Sequence, residues 1–257
     1  MNLFKSLAAI GFLCPLLLAA ELKTATIAEV MAKIQATRAA TDFRATGRIV
    51  RVTGSGERKA YQVSMKGKWF ADGLRIFCEV HDPAPSRVRV LLEINPAGKA
   101  MIRSGHAGDR APREIPFESW GEPLLDSDLS YEDMIESHFL WRNQTLVKEE
   151  KYGARDCYMV RSEPGAPDQS HYSSVTSWLD QEILSPVKVE KLIKVSGSVK
   201  EFIYYGLRES SGVWSASQIE VRIKGRPDST LLIFNRGSAK ANLNASDFLP
   251  ALLIKPE

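Results

Sequence analysis

The 257-residue sequence predicts a mainly β (α+β) protein built on a single strongly curved antiparallel sheet with few helices. Three observations carry that expectation. Apolar residues recur with a period of two over much of the chain. The runs are short and separated by tight turns, which favours antiparallel neighbours. Several runs are apolar on both faces, whereas a sheet with water on one side would be polar there.

The N-terminus reads differently. Lys5 is followed by an apolar run from Leu7 to Ala20, interrupted by Gly11 and Pro15 and ending before Glu21, Lys23 and Thr24. A basic start, a short apolar stretch and a small-residue end describe a secretory signal peptide. A spanning helix needs roughly 20 apolar residues, and this run is shorter. Cys14 follows Gly-Phe-Leu, which is not the small-residue context of a lipoprotein cysteine. The expectation is a signal peptide over 1–20, cleavage after Ala20, one domain over 21–257 and a periplasmic address.

The mature chain then opens with a helix. Ile27, Val30, Met31 and Ile34 share one helical face, and Thr26-x-x-Glu29 reads as a capping box. Asp42 ends it, and period-two runs follow. Tyr61, Val63, Met65 and Trp69 form the first, Leu74, Ile76, Cys78 and Val80 the second, and Val88, Val90, Leu92 and Ile94 the third. Gly54-Ser55-Gly56, Asp72-Gly73, Pro83-Ala84-Pro85 and Asn95-Pro96-Ala97-Gly98 punctuate them.

Residues 104–123 look like a long loop, and a short helix is expected to begin near Ser130. Strands are expected again over about 143–150, 155–162, 174–180, 186–195, 199–207, 214–224 and 229–235. Asp247-Phe248-Leu249-Pro250 reads as a short turn or helix packed on the sheet.

Phe77, Leu91, Leu192, Phe202, Tyr204, Leu231 and Ile233 lie opposite the main apolar series of their strands. Two helices are too few to cover them all. Either part of that second face is an apolar groove, or curvature buries these side chains in an ordinary core. Trp69, Phe77, Leu91, Phe202, Tyr204 and Ile233 are the candidate groove residues.

Composition is that of an ordinary globular chain, 44% apolar and 25% charged. Loss of Lys5 with the signal segment lowers the net charge from +3 to +2, which points to no polyanionic partner. No nucleic-acid role is expected. Cys78 and Cys157 remain after cleavage. A disulfide is permitted by the compartment, but two buried thiols are the simpler reading.

Catalytic signatures are missing: there is no G-x-S-x-G, C-x-x-C, H-E-x-x-H or phosphate-binding glycine loop. His81, His106, His138 and His171 are scattered. The acidic stretch from Asp126 imitates a calcium loop at its first positions, but Tyr131 replaces the required glycine and Ser137 the final glutamate. A helix start explains it better, with Asp128 or Ser130 capping and Glu132 and Asp133 at the positive end of the dipole. Asp128, Ser130, Tyr131, Glu132 and Asp133 are therefore read as a structural motif, with no metal, cofactor or catalytic role. Asn143-Gln144-Thr145 and Asn244-Ala245-Ser246 match the glycosylation sequon, relevant only to a eukaryotic secretory route.

That same stretch, Leu125 to Met134, resembles the "G-S-D-F-S-Y-E-D-L" segment of the outer-membrane lipoprotein-sorting (LolA-like) family. Further likenesses follow in order: Tyr152 to Val160, Trp178-Leu179-Asp180 with Leu184-Ser185-Pro186, Gly212-Val213-Trp214, and Asp247-Phe248. They span roughly residues 60–255. Ile183 stands where the family has threonine, Ala216 where it has proline, and residues 98–113 lack an aromatic strand. The resemblance implies an incomplete β-barrel of about eleven antiparallel strands, capped by helices around an apolar cavity for acyl chains.

It also implies a non-enzymatic, monomeric periplasmic carrier of lipids or acylated lipoproteins, facing an inner-membrane transporter or an outer-membrane acceptor. The alternative is a lipid- or lipoprotein-sensing accessory of a membrane complex. An enzyme is the third reading, and it would need titratable groups clustered in the cavity.

Overall fold

The structure, a computed structural model, describes residues 26–39, 42–210, 212–238 and 240–256. The expected signal peptide over 1–20 lies outside the described residues. The chain first forms α1 (Ile27–Ala39), whose start is closed by the predicted capping box. The Thr26 N–H donates to Glu29 Oε2 at 2.8 Å, and the Glu29 N–H donates to Thr26 Oγ1 at 3.3 Å.

A first meander follows: β1 (Asp42–Val52), β2 (Arg58–Phe70), β3 (Gly73–Asp82), β4 (Arg89–Ile94), β5 (Ala100–Gly105) and β6 (Arg113–Ile115). The second comprises β7 (Asn143–Tyr152), β8 (Arg155–Glu163), β9 (Tyr172–Asp180), β10 (Pro186–Ile193) and β11 (Val199–Tyr205). A small hairpin of β12 (Arg208–Ser210) and β13 (Val213–Ser215) then stands apart, before β14 (Gln218–Ile223) and β15 (Ser229–Ser238) return to the sheet.

Thirteen strands form one antiparallel sheet in the order β6-β5-β4-β3-β2-β1-β15-β14-β11-β10-β9-β8-β7. The last strand closes on the first, so the two meanders join in the middle and β6 and β7 are left as edges. Residues 116–142 connect those two edges. Close approach demands glycine at two positions. A Cβ on Gly47, beside the β1 bulge, would lie 2.2 Å from the Ile233 carbonyl oxygen. A Cβ on Gly73, at φ +132°, would lie 2.0 Å from that of Ile94.

The sheet is curved and open. α1 touches both β2 and β7, which lie eight strand steps apart in the sheet. Flat, those strands would be about 38 Å apart, whereas a 13-residue helix is only about 20 Å long. Curvature therefore brings the halves towards each other, but β6 and β7 do not pair.

The sequence-based elements need five corrections. The sheet has thirteen strands, not about eleven. β1 is unexpected: Arg44, Thr46 and Arg48 alternate correctly, but small Ala45 and Gly47 weaken the apolar side, and Val50 and Arg51 reverse the phase. The stretch 104–123, expected as a long loop, instead contains the end of β5 and all of β6. The expected helix near Ser130 is a single 3-10 turn, Tyr131–Met134, and the strand expected over 214–224 breaks into β13 and β14.

Each face has its own cover. Register puts Ile49, Tyr61, Ile76, Cys78, Val175, Val189, Phe202 and Val221 on one face, where Trp120, Leu124, Leu129, Ile135 and Trp141 of the 116–142 segment pack against them. This is the plug face. α1 covers its far end, with Val30, Met31 and Ile34 against Phe139, Val160 and Leu179. The opposite face of β3 and β4 is covered by the C-terminal tail, where Leu243, Phe248 and Leu253 bury Phe77 and Leu91. Where one short turn or helix was expected around Asp247, the tail forms two short 3-10 turns, Ala245–Phe248 and Pro250–Leu253. Among the described residues, no helix is long and apolar enough to cross a membrane.

Candidate functional site

The acidic motif anchors the plug. Ser130 caps the 3-10 turn, and its N–H and hydroxyl both donate to Asp133 Oδ2 at 2.9 Å. Asp128, the other capping candidate, does something else. The Thr230 hydroxyl donates to Asp128 Oδ2 at 2.8 Å and accepts the Asp128 N–H at 2.9 Å. This ties the plug to β15. Tyr131 packs between the two main core clusters.

Asp133 is the centre of a buried polar cluster that the sequence did not reveal. Lys191 Nζ lies 2.9 Å from Oδ1, Lys200 Nζ 2.7 Å from Oδ2, and the Tyr172 hydroxyl donates to Oδ1 at 2.7 Å. Burial alone would raise the Asp133 pKa, but the two ammonium groups hold it far below the usual carboxylate range. Burial beside that carboxylate pushes the Tyr172 phenol well above its ordinary value. The ammonium of Lys191 also stands over the Phe202 ring at 4.6 Å and the Tyr172 ring at 5.1 Å. Glu132 is also saturated, accepting from the Ser170 hydroxyl and, at 2.9 Å, from both the backbone and ring N–H of His171. These carboxylates are committed to protein partners. Among the described residues, no group of three His, Cys, Asp or Glu side chains is arranged to hold a metal ion.

The six candidate groove residues do not form one surface. Phe77 and Leu91 are cross-strand partners under the C-terminal tail. Ile233 pairs with Arg48 and Gln218 and shares their face, opposite the plug. Trp69, Phe202 and Tyr204 belong to the plug face, but Phe202 is fully packed in the core there. Cys78 and Cys157 are buried free thiols on opposite faces, and burial raises the pKa of both.

What the plug leaves partly uncovered is a strip along the middle strands of its face. Tyr204, Ile219 and Leu232 stand in one cross-strand row that continues into buried Ile49 and Tyr61. The next row holds Phe234, Gly47 and Val63, and Met65 follows towards half-buried Trp69. All but Gly47 in that second stretch are half-buried apolar side chains. The strip runs between the plug and the end of the sheet that α1 covers. Its residues missed by the candidate set, Val63, Met65, Ile219, Leu232 and Phe234, carried a readable signal: Val63 and Met65 are in phase with buried Tyr61, Ile219 with buried Val221, and Leu232 and Phe234 with buried Thr230.

The fold is thus an open, curved antiparallel sheet whose plug face keeps a partly bare apolar strip and whose opposite face is covered at β3 and β4 by the tail. Residues 109–255 match the model of a family described as "Uncharacterized protein", more than half of the chain, and the chain belongs to that family. No curated protein matches it.

Solved structures share the fold over nearly their whole length. A DUF1329 family protein from Desulfovibrio piger is 17% identical with a TM-score of 0.79, covering 88% of this chain and 96% of its own. A domain from Vibrio parahaemolyticus assigned to outer membrane lipoprotein sorting is 19% identical with a TM-score of 0.76, covering 87% and 96%. A LolA superfamily protein from Nitrosomonas europaea is 17% identical with a TM-score of 0.69, covering 88% and 98%. The resemblance drawn from the sequence motifs therefore holds in the fold.

The hairpin motif has a physical basis as well. Asp180 Oδ1 accepts the backbone N–H groups of Glu182 at 2.9 Å and Ile183 at 3.1 Å. The turn is organised by the aspartate, so replacement of threonine by Ile183 leaves those bonds in place.

Proposed function

We propose that the chain, exported and cleaved near Ala20, is a non-enzymatic periplasmic carrier that binds an acyl chain of a lipid or lipoprotein along this strip. It acts as a monomeric single domain, with α1 as the element that moves aside. The observation that carries the reading is the half-buried row of Tyr204, Ile219 and Leu232, continued by Val63 and Met65. Soluble proteins rarely leave an extended apolar strip without a use. Likeness in fold to a domain assigned to outer membrane lipoprotein sorting and to a LolA superfamily protein agrees with it.

The energetics suit a carrier. Each buried methylene contributes about 0.8 kcal/mol, so a long chain could gain on the order of 10 kcal/mol before the costs of association. Moving α1 consumes part of that gain and makes release possible. Its described hold is Val30, Met31 and Ile34 buried with Ile27 beside them, and a 3.3 Å hydrogen bond from Gln35 Nε2 to the Phe139 carbonyl.

Native mass spectrometry of protein purified from periplasm, combined with displacement of a fluorescent fatty acid, tests the proposal. Co-purified lipid and saturable displacement are expected. Protein that carries no lipid and gives no saturable signal overturns it.

A further inference from the structure

Ser177 stands in the middle of β9 on the plug face, and its hydroxyl has no hydrogen-bond partner among the described residues. It is only 1% exposed. Buried Ser127, Ser130 and Ser170, by contrast, each donate to an oxygen of the protein. A buried hydroxyl left unpaired destabilises a fold, and the large majority of such groups are paired.

The surroundings in the sheet are apolar. Val160 on β8 and Val189 on β10 pair with Ser177, and Val175 and Leu179 flank it on the same face of β9. Val160 and Leu179 belong to the cluster that α1 covers, Val175 and Val189 to the cluster beneath the plug. The hydroxyl therefore lies at the seam between the two covers. That seam adjoins the acyl strip. Val189 pairs with Phe202, and Tyr204 follows Phe202 on the same face of β11. Leu179 pairs with Pro186, which carries its row towards Tyr204. Withdrawal of α1 uncovers Leu179 and extends the strip across β10 to Ser177. From β9 to β15 is four strand steps, about 19 Å along the sheet, which gives room for a long acyl chain.

An acyl guest brings the group that Ser177 lacks. Where a chain is joined to its headgroup by an ester or amide, its first carbon is a carbonyl, whose oxygen accepts and a hydroxyl donates. We propose that Ser177 is a specificity-determining residue of the acyl site, its hydroxyl donating to the carbonyl oxygen of the guest's ester or amide link. The carbonyl then lies at the α1 end, and the headgroup leaves where the helix stood. The methyl end runs past Tyr204 and Ile219 towards Leu232. This inference rests on the acyl-carrier reading and adds to it a direction and a chemical requirement.

Two lysophospholipids that compete for a fluorescent fatty acid test it, one ester-linked and one ether-linked. Headgroup and chain are the same, each is kept below its micelle concentration, and only the carbonyl differs. The full mature chain should bind the ester about fivefold more tightly, the factor that one net hydrogen bond supplies. Ser177→Ala should lose that preference while melting at the same or a higher temperature. A nitroxide near the carboxyl of stearic acid should broaden the Ser177 amide resonance first, and one near the methyl end that of Leu232. Equal binding of ester and ether by the wild type, a preference that survives in Ser177→Ala, or the reverse order of broadening overturns the proposal and leaves the carrier reading standing. Binding of neither lysolipid nor fatty acid overturns both.

Discussion

Lys191 and Lys200 are direct cross-strand partners on β10 and β11, both buried on the plug face. Two like charges in that relation destabilise a sheet, and burial makes each costly unless paired. Asp133 resolves both problems by placing one oxygen on each ammonium. The second half of the sheet is therefore completed by a residue of the plug. Because the lysines need Asp133, the 116–142 segment is an integral part of the sheet and not a detachable cover.

The first prediction follows from that dependence. Asp133→Asn leaves two buried lysines without a counter-charge and should cost about 3–5 kcal/mol, the usual penalty for breaking a buried ion pair. The wild type should also lose stability in acid through this group. In the fold the Asp133 carboxyl titrates below its unfolded value, so its contribution is complete above that value and declines as pH falls below about 4. Melting curves from pH 7 to pH 3 check both points. A variant as stable as the wild type, or equally acid-sensitive, would show that Asp133 is not the anchor.

This relationship marks where sequence reading stops. The period of two exposes β2, β3, β4 and β14, and the capping box exposes the start of α1. The motif around Asp133 was also visible, together with its role at a helix start. Its partners were not, because Lys191 and Lys200 are 58 and 67 residues away and only strand register brings them there. A hint existed: Lys191 is in phase with Val189, and Lys200 with Phe202 and Tyr204. Part of the candidate groove set lies under a cover that was hidden for a similar reason. Phe77 and Leu91 looked uncovered because their cover comes from a tail more than a hundred residues downstream.

The second prediction separates tail-covered core from ligand surface. Phe248 meets Phe70 edge-on at 5.6 Å between ring centroids and buries Phe77. Phe248→Ala should therefore lower stability by about 3–5 kcal/mol. Phe77→Leu, a milder change in the same cluster, should leave fatty-acid displacement unaltered in a folded protein. Weakened displacement by Phe77→Leu would return that face to the binding site.

The third prediction concerns the strip itself. Phe202 is a poor probe, since an aspartate there would stand near the Lys191 ammonium and could pair with it. Ile219 is better: it is half-buried, in register with Tyr204 and Leu232, and lies at the margin of the core. Ile219→Asp keeps access to water for its charge, so its cost should stay near 1–2 kcal/mol, a shift of about 2–8 °C in Tm for a domain of this size. The same charge in contact with a bound chain would be desolvated, and fatty-acid affinity should fall about tenfold or more. Val195, 94% exposed in the turn between β10 and β11, supplies the control: Val195→Asp should change neither quantity. If Ile219→Asp unfolds the protein, the strip is ordinary core. If it folds and binds fatty acid as the wild type does, the strip is bare surface, and the acyl chain must lie elsewhere.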